Sequence, residues 1–243
     1  MRSTASGPSR GSCWGWPASP VGSLVSPDLR ARVRGAAEPI ARGFGRLGLT
    51  PNALTLVGFG IAVVAGVTAA LNWWLAAGLL VAFGAVFDLF DGALARATGT
   101  TSRLGAFMDS VFDRAGEAVV YVGIVIGLAA AEFKLGVILA VSAMAAGIMV
   151  SYVRSKSESL GFTAGSGMAN VGLAPREVRI VILSVGLIAA GLLSTSALAS
   201  GPNAPDPLWS QALAAALGLI ALLATITTIQ RIVHVYMQSK KEH

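Results

Sequence analysis

Four aspartates set the terms for this chain. Between Phe87 and Glu117 the sequence reads FDLFDGALARATGTTSRLGAFMDSVFDRAGE, with Asp88 and Asp91 three residues apart and Asp109 and Asp113 four apart. On an α-helix each pair shares one face. A short connection around 98–102 folds the two helices antiparallel, which brings both pairs together at one end. Carboxylates in or near hydrocarbon are unfavourable, by about 2.5 to 3.5 kcal/mol each on the insertion scale, and four facing one another repel unless cations lie between them. Neither His nor Cys accompanies them. Hard divalent cations with oxygen ligands, Mg²⁺ or Mn²⁺, are therefore expected, two ions in all. Gly92 and Gly105 remove side chains beside the acids and let backbone or ligand approach closely, and Ala95 does the same on a smaller scale. Pairing of the acids with Arg96, Arg103 and Arg114 would neutralise some charge but would not explain this spacing. Glu117, one turn beyond Asp113, is expected to pair locally with Arg114.

The elements that must hold these acids are apolar helices. Of the 243 residues 54% are hydrophobic and only 12% charged, and the mean hydropathy is +0.71. Soluble domains carry about 25% charged residues, so the chain reads as an all-α polytopic membrane protein. Six apolar stretches, near 51–71, 74–97, 104–130, 135–155, 178–199 and 208–232, reach the length that crosses a bilayer. Thr50 and Pro51 suit the N-cap and first turn of the first span. Trp73 and Trp74 suit the membrane interface. Gly123 and Gly127 suit close helix packing.

Three parts follow: an irregular Ser/Gly/Pro-rich tail over 1–27, expected to be disordered; a juxtamembrane amphipathic helix over 28–47; and a six-span domain over 48–243. In the second part Arg30, Arg32, Arg34, Arg42 and Arg46 alternate with apolar residues, and Pro39 implies a kink. The tail has no sustained apolar core and does not read as a signal peptide. The lone Cys13 implies no disulfide framework. A formal charge of +6 and a pI near 10.1 do not point to nucleic acid, because the basic residues sit at the ends of apolar helices. They fall on one side, whereas the opposite connections hold only Lys134. By the positive-inside rule both termini and the acidic site face the cytoplasm.

The acidic segment matches the signature of the CDP-alcohol phosphotransferase family, D-x-x-D-G-x-x-A-R, eight residues, then G-x-x-x-D-x-x-x-D, at Asp88, Asp91, Gly92, Ala95, Arg96, Gly105, Asp109 and Asp113. The chain resembles that family from about residue 28 onward, including its interfacial helix and six spans. The resemblance implies transfer of a phosphatidyl-type group from a CDP-linked lipid to an alcohol, with release of CMP. It implies metal ligation by Asp88, Asp91 and Asp109, and by Asp113, which also serves as general base. Gly92 and Arg96 resemble the positions that hold the CDP group, with Ser102 beside them. Asn52 and Thr55, in the run PNALT, resemble an element that contacts the nucleotide lipid. A homodimer is also implied.

Arg154, Lys156, Arg176 and Arg179 gather at the fourth and fifth spans and suit the phosphate of a water-soluble acceptor. The run SYVRSKSESLGF is similar to the branch that uses inositol phosphate, although NVGLAPREVR has Arg176 and Glu177 in reverse of that branch's Glu-Arg order. Glycerol phosphate is the second candidate. A cation transporter is the alternative from another class, since intramembrane acids also build ion pathways. Transporters place such acids near the midplane on interrupted helices, whereas these lie toward helix ends beside basic residues, which favours the enzyme.

Overall fold

A bilayer offers the backbone no hydrogen-bond partners, so apolar stretches of this length satisfy themselves as helices. The computed structural model describes residues 49–97, 99, 102–162, 172–197 and 208–240, together with Pro39 and Gly43. The expected tail over 1–27 and amphipathic helix over 28–47 lie outside those residues apart from these two positions. Six helices are described: α1 Pro51–Ala70, α2 Trp74–Ala97, α3 Arg103–Ala130, α4 Lys134–Ser159, α5 Arg176–Ala197 and α6 Leu208–Ser239. Thr50 caps α1 by accepting a hydrogen bond from the Ala53 N–H (3.2 Å), with Pro51 in the first turn. Helices α4 and α6 run past their apolar stretches, to Ser159 and Ser239.

Among the described residues, five helices, all but α3, are long and apolar enough to cross a membrane. Helix α3 is apolar in its second half, but its first half carries Asp109, Asp113, Arg114 and Glu117. Neighbour contacts run from α1 to α2, α5, α6, α4, α3 and back to α1, so the six helices close a ring. Ala65, Ala69, Tyr121, Ile124, Leu187, Leu217 and Ile220 are among the side chains that fill it.

Small residues set the spacing. A Cβ on Gly66 would stand 2.8 Å from the Val119 carbonyl oxygen, and one on Gly123 would run into the Gly66 backbone. Gly127 is equally closed by Ala69 and Trp74. With little hydrophobic drive between helices in lipid, such close approach supplies van der Waals contact. The two tryptophans separate. Trp73 is 61% exposed, but Trp74 is 2% exposed and stacks on Trp209 at 5.9 Å, so packing outweighs its interfacial preference.

Candidate active site

The connection after α2 returns the chain into α3, where the Ser102 hydroxyl caps the helix by accepting from the Gly105 N–H (2.9 Å). The start of α1 lies alongside: a Cβ on Gly105 would be 3.4 Å from Asn52 Oδ1. Asp88 on α2 and Asp113 on α3 line one cavity between α1, α2, α3 and α5. From the first turn of α5, Arg176 reaches between them, donating to Asp88 Oδ2 (2.7 Å) and forming an ion pair with Asp113 Oδ2 (2.9 Å). These are charge-assisted contacts across three helices.

Thr55, Gly58 and Phe59 supply the α1 wall, and Glu117, Tyr121 and Arg179 lie deeper. The Thr55 hydroxyl donates to the Pro51 carbonyl (3.2 Å). Gly58 faces Asp88 closely, since a Cβ there would be 3.1 Å from Asp88 Oδ1. Asp109 is half-buried one turn before Asp113 and is not part of the cavity wall. Asp91 and Gly92 lie in α2, with side-chain positions outside the described residues. Ala95 is half-buried and Arg96 exposed near the end of α2.

The four basic residues expected at an acceptor phosphate divide. Arg176 and Arg179 line the cavity. Arg154 and Lys156 are exposed on α4 and absent from its wall, with Arg154 paired to Glu158 at 2.9 Å. The local Glu117–Arg114 pair expected from the sequence does not form: Arg114 meets Asp113 (3.1 Å), and Glu117 meets the buried Arg179 (3.0 Å). Arg114 is the cation nearest Glu117 in the chain, whereas folding brings one from 62 positions away. Gly58 was also missed, because a glycine in an apolar run looks the same whether it faces lipid or a carboxylate.

Residues 48–238 match the CDP-alcohol phosphatidyltransferase family. The chain belongs to this family. It is a transferase of that class. It is 31% identical over 219 residues, 88% of this chain and all of the relative, to archaetidylinositol phosphate synthase of Methanothermobacter thermautotrophicus. It is 34% identical over 201 residues, covering 82% of this chain and 91% of the relative, to phosphatidylinositol phosphate synthase of Cutibacterium acnes. Among solved structures, it resembles phosphatidylinositol phosphate synthase of Mycobacterium tuberculosis with CDP-DAG bound, at a TM-score of 0.68 and 29% identity, covering 82% of this chain and 93% of that one. The same enzyme in complex with manganese and citrate matches at a TM-score of 0.67, with 29% identity over 82% of this chain and 88% of that one.

The transferase's donor set fits a divalent cation. Asp88 and Asp113 already converge on one cationic group, the Arg176 guanidinium, and Gly58 leaves room for the Asp88 carboxylate. Among the described residues no three acidic, His or Cys side chains come close enough together to hold an ion, and Asp91 is outside that set. Carboxylate oxygens without nitrogen or sulfur suit Mg²⁺ or Mn²⁺.

Proposed function

We propose that the transferase moves the phosphatidyl-type group of a CDP-linked lipid, CDP-diacylglycerol or its archaeal counterpart, onto inositol phosphate and releases CMP. The observation that carries this is Arg176, held by Asp88 and Asp113 at the cavity where a phosphorylated acceptor would meet the acids. The names of the relatives support the same acceptor.

Asp88, Asp91, Asp109 and Asp113 would hold Mg²⁺ or Mn²⁺, two ions, which when bound would neutralise the diphosphate and polarise its phosphorus. Asn52, Thr55, Gly92, Ala95, Arg96, Ser102 and Gly105 line the CDP side, with Arg96 offering charged donors to phosphate oxygens. Of the basic group Arg154, Lys156, Arg176 and Arg179, Arg176 leads on the acceptor side. The acceptor hydroxyl oxygen attacks the lipid-bearing phosphorus in line, and the bond from that phosphorus to the bridging oxygen breaks, so that CMP leaves with the oxygen. The hydroxyl proton passes to Asp113, a carboxylate acting as general base. The nearest approach of each arginine, Arg114 and Arg176, is to Asp113 Oδ2.

Helix α3 serves as the sixth span, its acidic end at the cytoplasmic face of the cell membrane with both termini on that side. Six spans and the basic residues on that side support this orientation. The transferase works as a homodimer, in keeping with its family resemblance.

The test is CMP release by purified protein supplied with CDP-diacylglycerol or an archaeal CDP-lipid and a panel of acceptors. Inositol phosphate is expected to give the highest kcat/KM. Turnover with glycerol phosphate or serine but not with inositol phosphate overturns the reading.

A further inference from the structure

One turn deeper than the acids lies a second pair. Glu117 follows Asp113 by four residues on α3, and Arg179 follows Arg176 by three on α5. Arg179 is 1% exposed. Its Nε donates to Glu117 Oε1 (3.1 Å), its Nη2 to Oε1 and Oε2 (3.0 Å each), and its Nη1 to the Ala174 carbonyl (3.3 Å). Each guanidinium nitrogen is thus engaged within the protein. Two rungs therefore join α3 to α5: Asp113 with Arg176, and below it Glu117 with Arg179.

Helix α4 closes on the lower rung through Gly147, where a Cβ would stand 3.2 Å from Arg179 Nε and 3.3 Å from Glu117 Oε1. The segment leading into α5 is tied to α6, since the Ala174 N–H donates to the buried Thr227 hydroxyl (2.9 Å). Buried ion pairs contribute little net stability, because desolvation offsets their attraction, but a planar fork gripping a carboxylate defines geometry.

We infer that Glu117 and Arg179 are positioning residues that set the rotation and height of α5 against α3, so that Arg176 stands between Asp88 and Asp113 ready for the acceptor's phosphate. This rests on the acceptor role given to Arg176 above and deepens it. Arg179 acts through Arg176 and not by touching phosphate, because it is buried and each of its guanidinium nitrogens already donates within the protein.

The test is steady-state kinetics of Glu117→Gln and Gly147→Ala, varying inositol phosphate and CDP-diacylglycerol in turn, with melting temperatures measured alongside. Gly147 is not part of the cavity wall, and alanine there presses on the pair from the α4 side. If the pair positions Arg176, the acceptor KM rises on the order of tenfold, as for a weakened charged hydrogen bond, and the CDP-lipid KM stays within about twofold. In an Arg176→Ala background the same changes add less than about twofold, because the group they position is gone. A pair that is only structural lowers the melting temperature and kcat while leaving both KM values alone, equally in both backgrounds, and that result overturns the inference. If Glu117→Gln does not fold, Gly147→Ala carries the same comparison. Wild-type protein inactive with inositol phosphate but active with glycerol phosphate refutes the acceptor reading alone, and the pair is then judged on the glycerol phosphate KM. Inactivity with every phosphorylated acceptor overturns both.

Discussion

Gly58 is the position where a small change reaches the acids most directly. It lies on α1, and a Cβ there would stand 3.1 Å from Asp88 Oδ1, inside the separation of about 3.5 Å at which nonbonded contact becomes favourable. Asp88 must then yield by a few tenths of an ångström, yet Arg176 holds its other oxygen at 2.7 Å. Alanine loosens that contact, and valine, with two further methyl groups, breaks it. A charged hydrogen bond contributes about 1.5 to 3 kcal/mol, and each 1.4 kcal/mol is tenfold, so Gly58→Val is expected to lower kcat/KM by roughly 10- to 100-fold. Gly58→Ala is expected to lose less than about tenfold. Because Asp88 is a proposed metal ligand, the Mg²⁺ concentration for half-maximal rate should rise in parallel. The assay is CMP release across a Mg²⁺ titration, with melting temperatures as control. Alanine in a helix interior is intrinsically favoured over glycine by up to about 1 kcal/mol, so fold stability is not expected to fall in that variant. Gly58→Val with wild-type kcat/KM and an unchanged Mg²⁺ midpoint would show that Gly58 does not set the position of Asp88.

Three further outcomes follow. Rigorous chelation with EDTA should abolish CMP release, and Mg²⁺ or Mn²⁺ should restore it; full activity after chelation ends the metal proposal. Gly123→Ala should sharply reduce the yield of monodisperse folded protein, because its Cβ meets the Gly66 backbone, whereas Gly60→Ala, with nothing within 4 Å, should behave as wild type in size-exclusion chromatography. Arg96→Ala should weaken CDP-lipid binding by roughly 1.5 to 3 kcal/mol in a direct binding assay, and unchanged affinity removes Arg96 from the nucleotide side.

Much of the transferase was legible because its strongest signals are local. Apolar length determined the helices, and the start of α1 could be read from Thr50 and Pro51 alone. Asp88 and Asp113 line one cavity, as helical spacing led one to expect, whereas Asp109 is not part of its wall and the Asp91 side chain lies outside the described residues. What stayed hidden depends on which helix lies opposite. Glu117 has Arg114 nearby in sequence, but its partner Arg179 comes from α5, and only the closed ring brings them together. Arg154 and Arg179 carry the same charge in the sequence, yet one is exposed and the other buried. Trp74 reads as an interfacial ring until Trp209 arrives from α6. Gly58 and Gly147 matter for what a Cβ would meet across a helix contact, and nothing in their own sequence neighbourhood records that.

In the proposed reaction the acids form the centre, with Asp113 taking the acceptor's proton. The most direct measurement pairs CMP release with CDP-lipid binding in Asp113→Asn and Asp91→Asn. Asparagine keeps size and removes both the charge and the basicity. Loss of a general base lowers rate by about 10² to 10⁴, so Asp113→Asn should lose at least that much turnover and keep part of its CDP-lipid binding. Asp91→Asn should lose metal and CDP-lipid binding together. Near-wild-type turnover in Asp113→Asn, or loss of CDP-lipid binding there but not in Asp91→Asn, would mean that Asp113 is not the base.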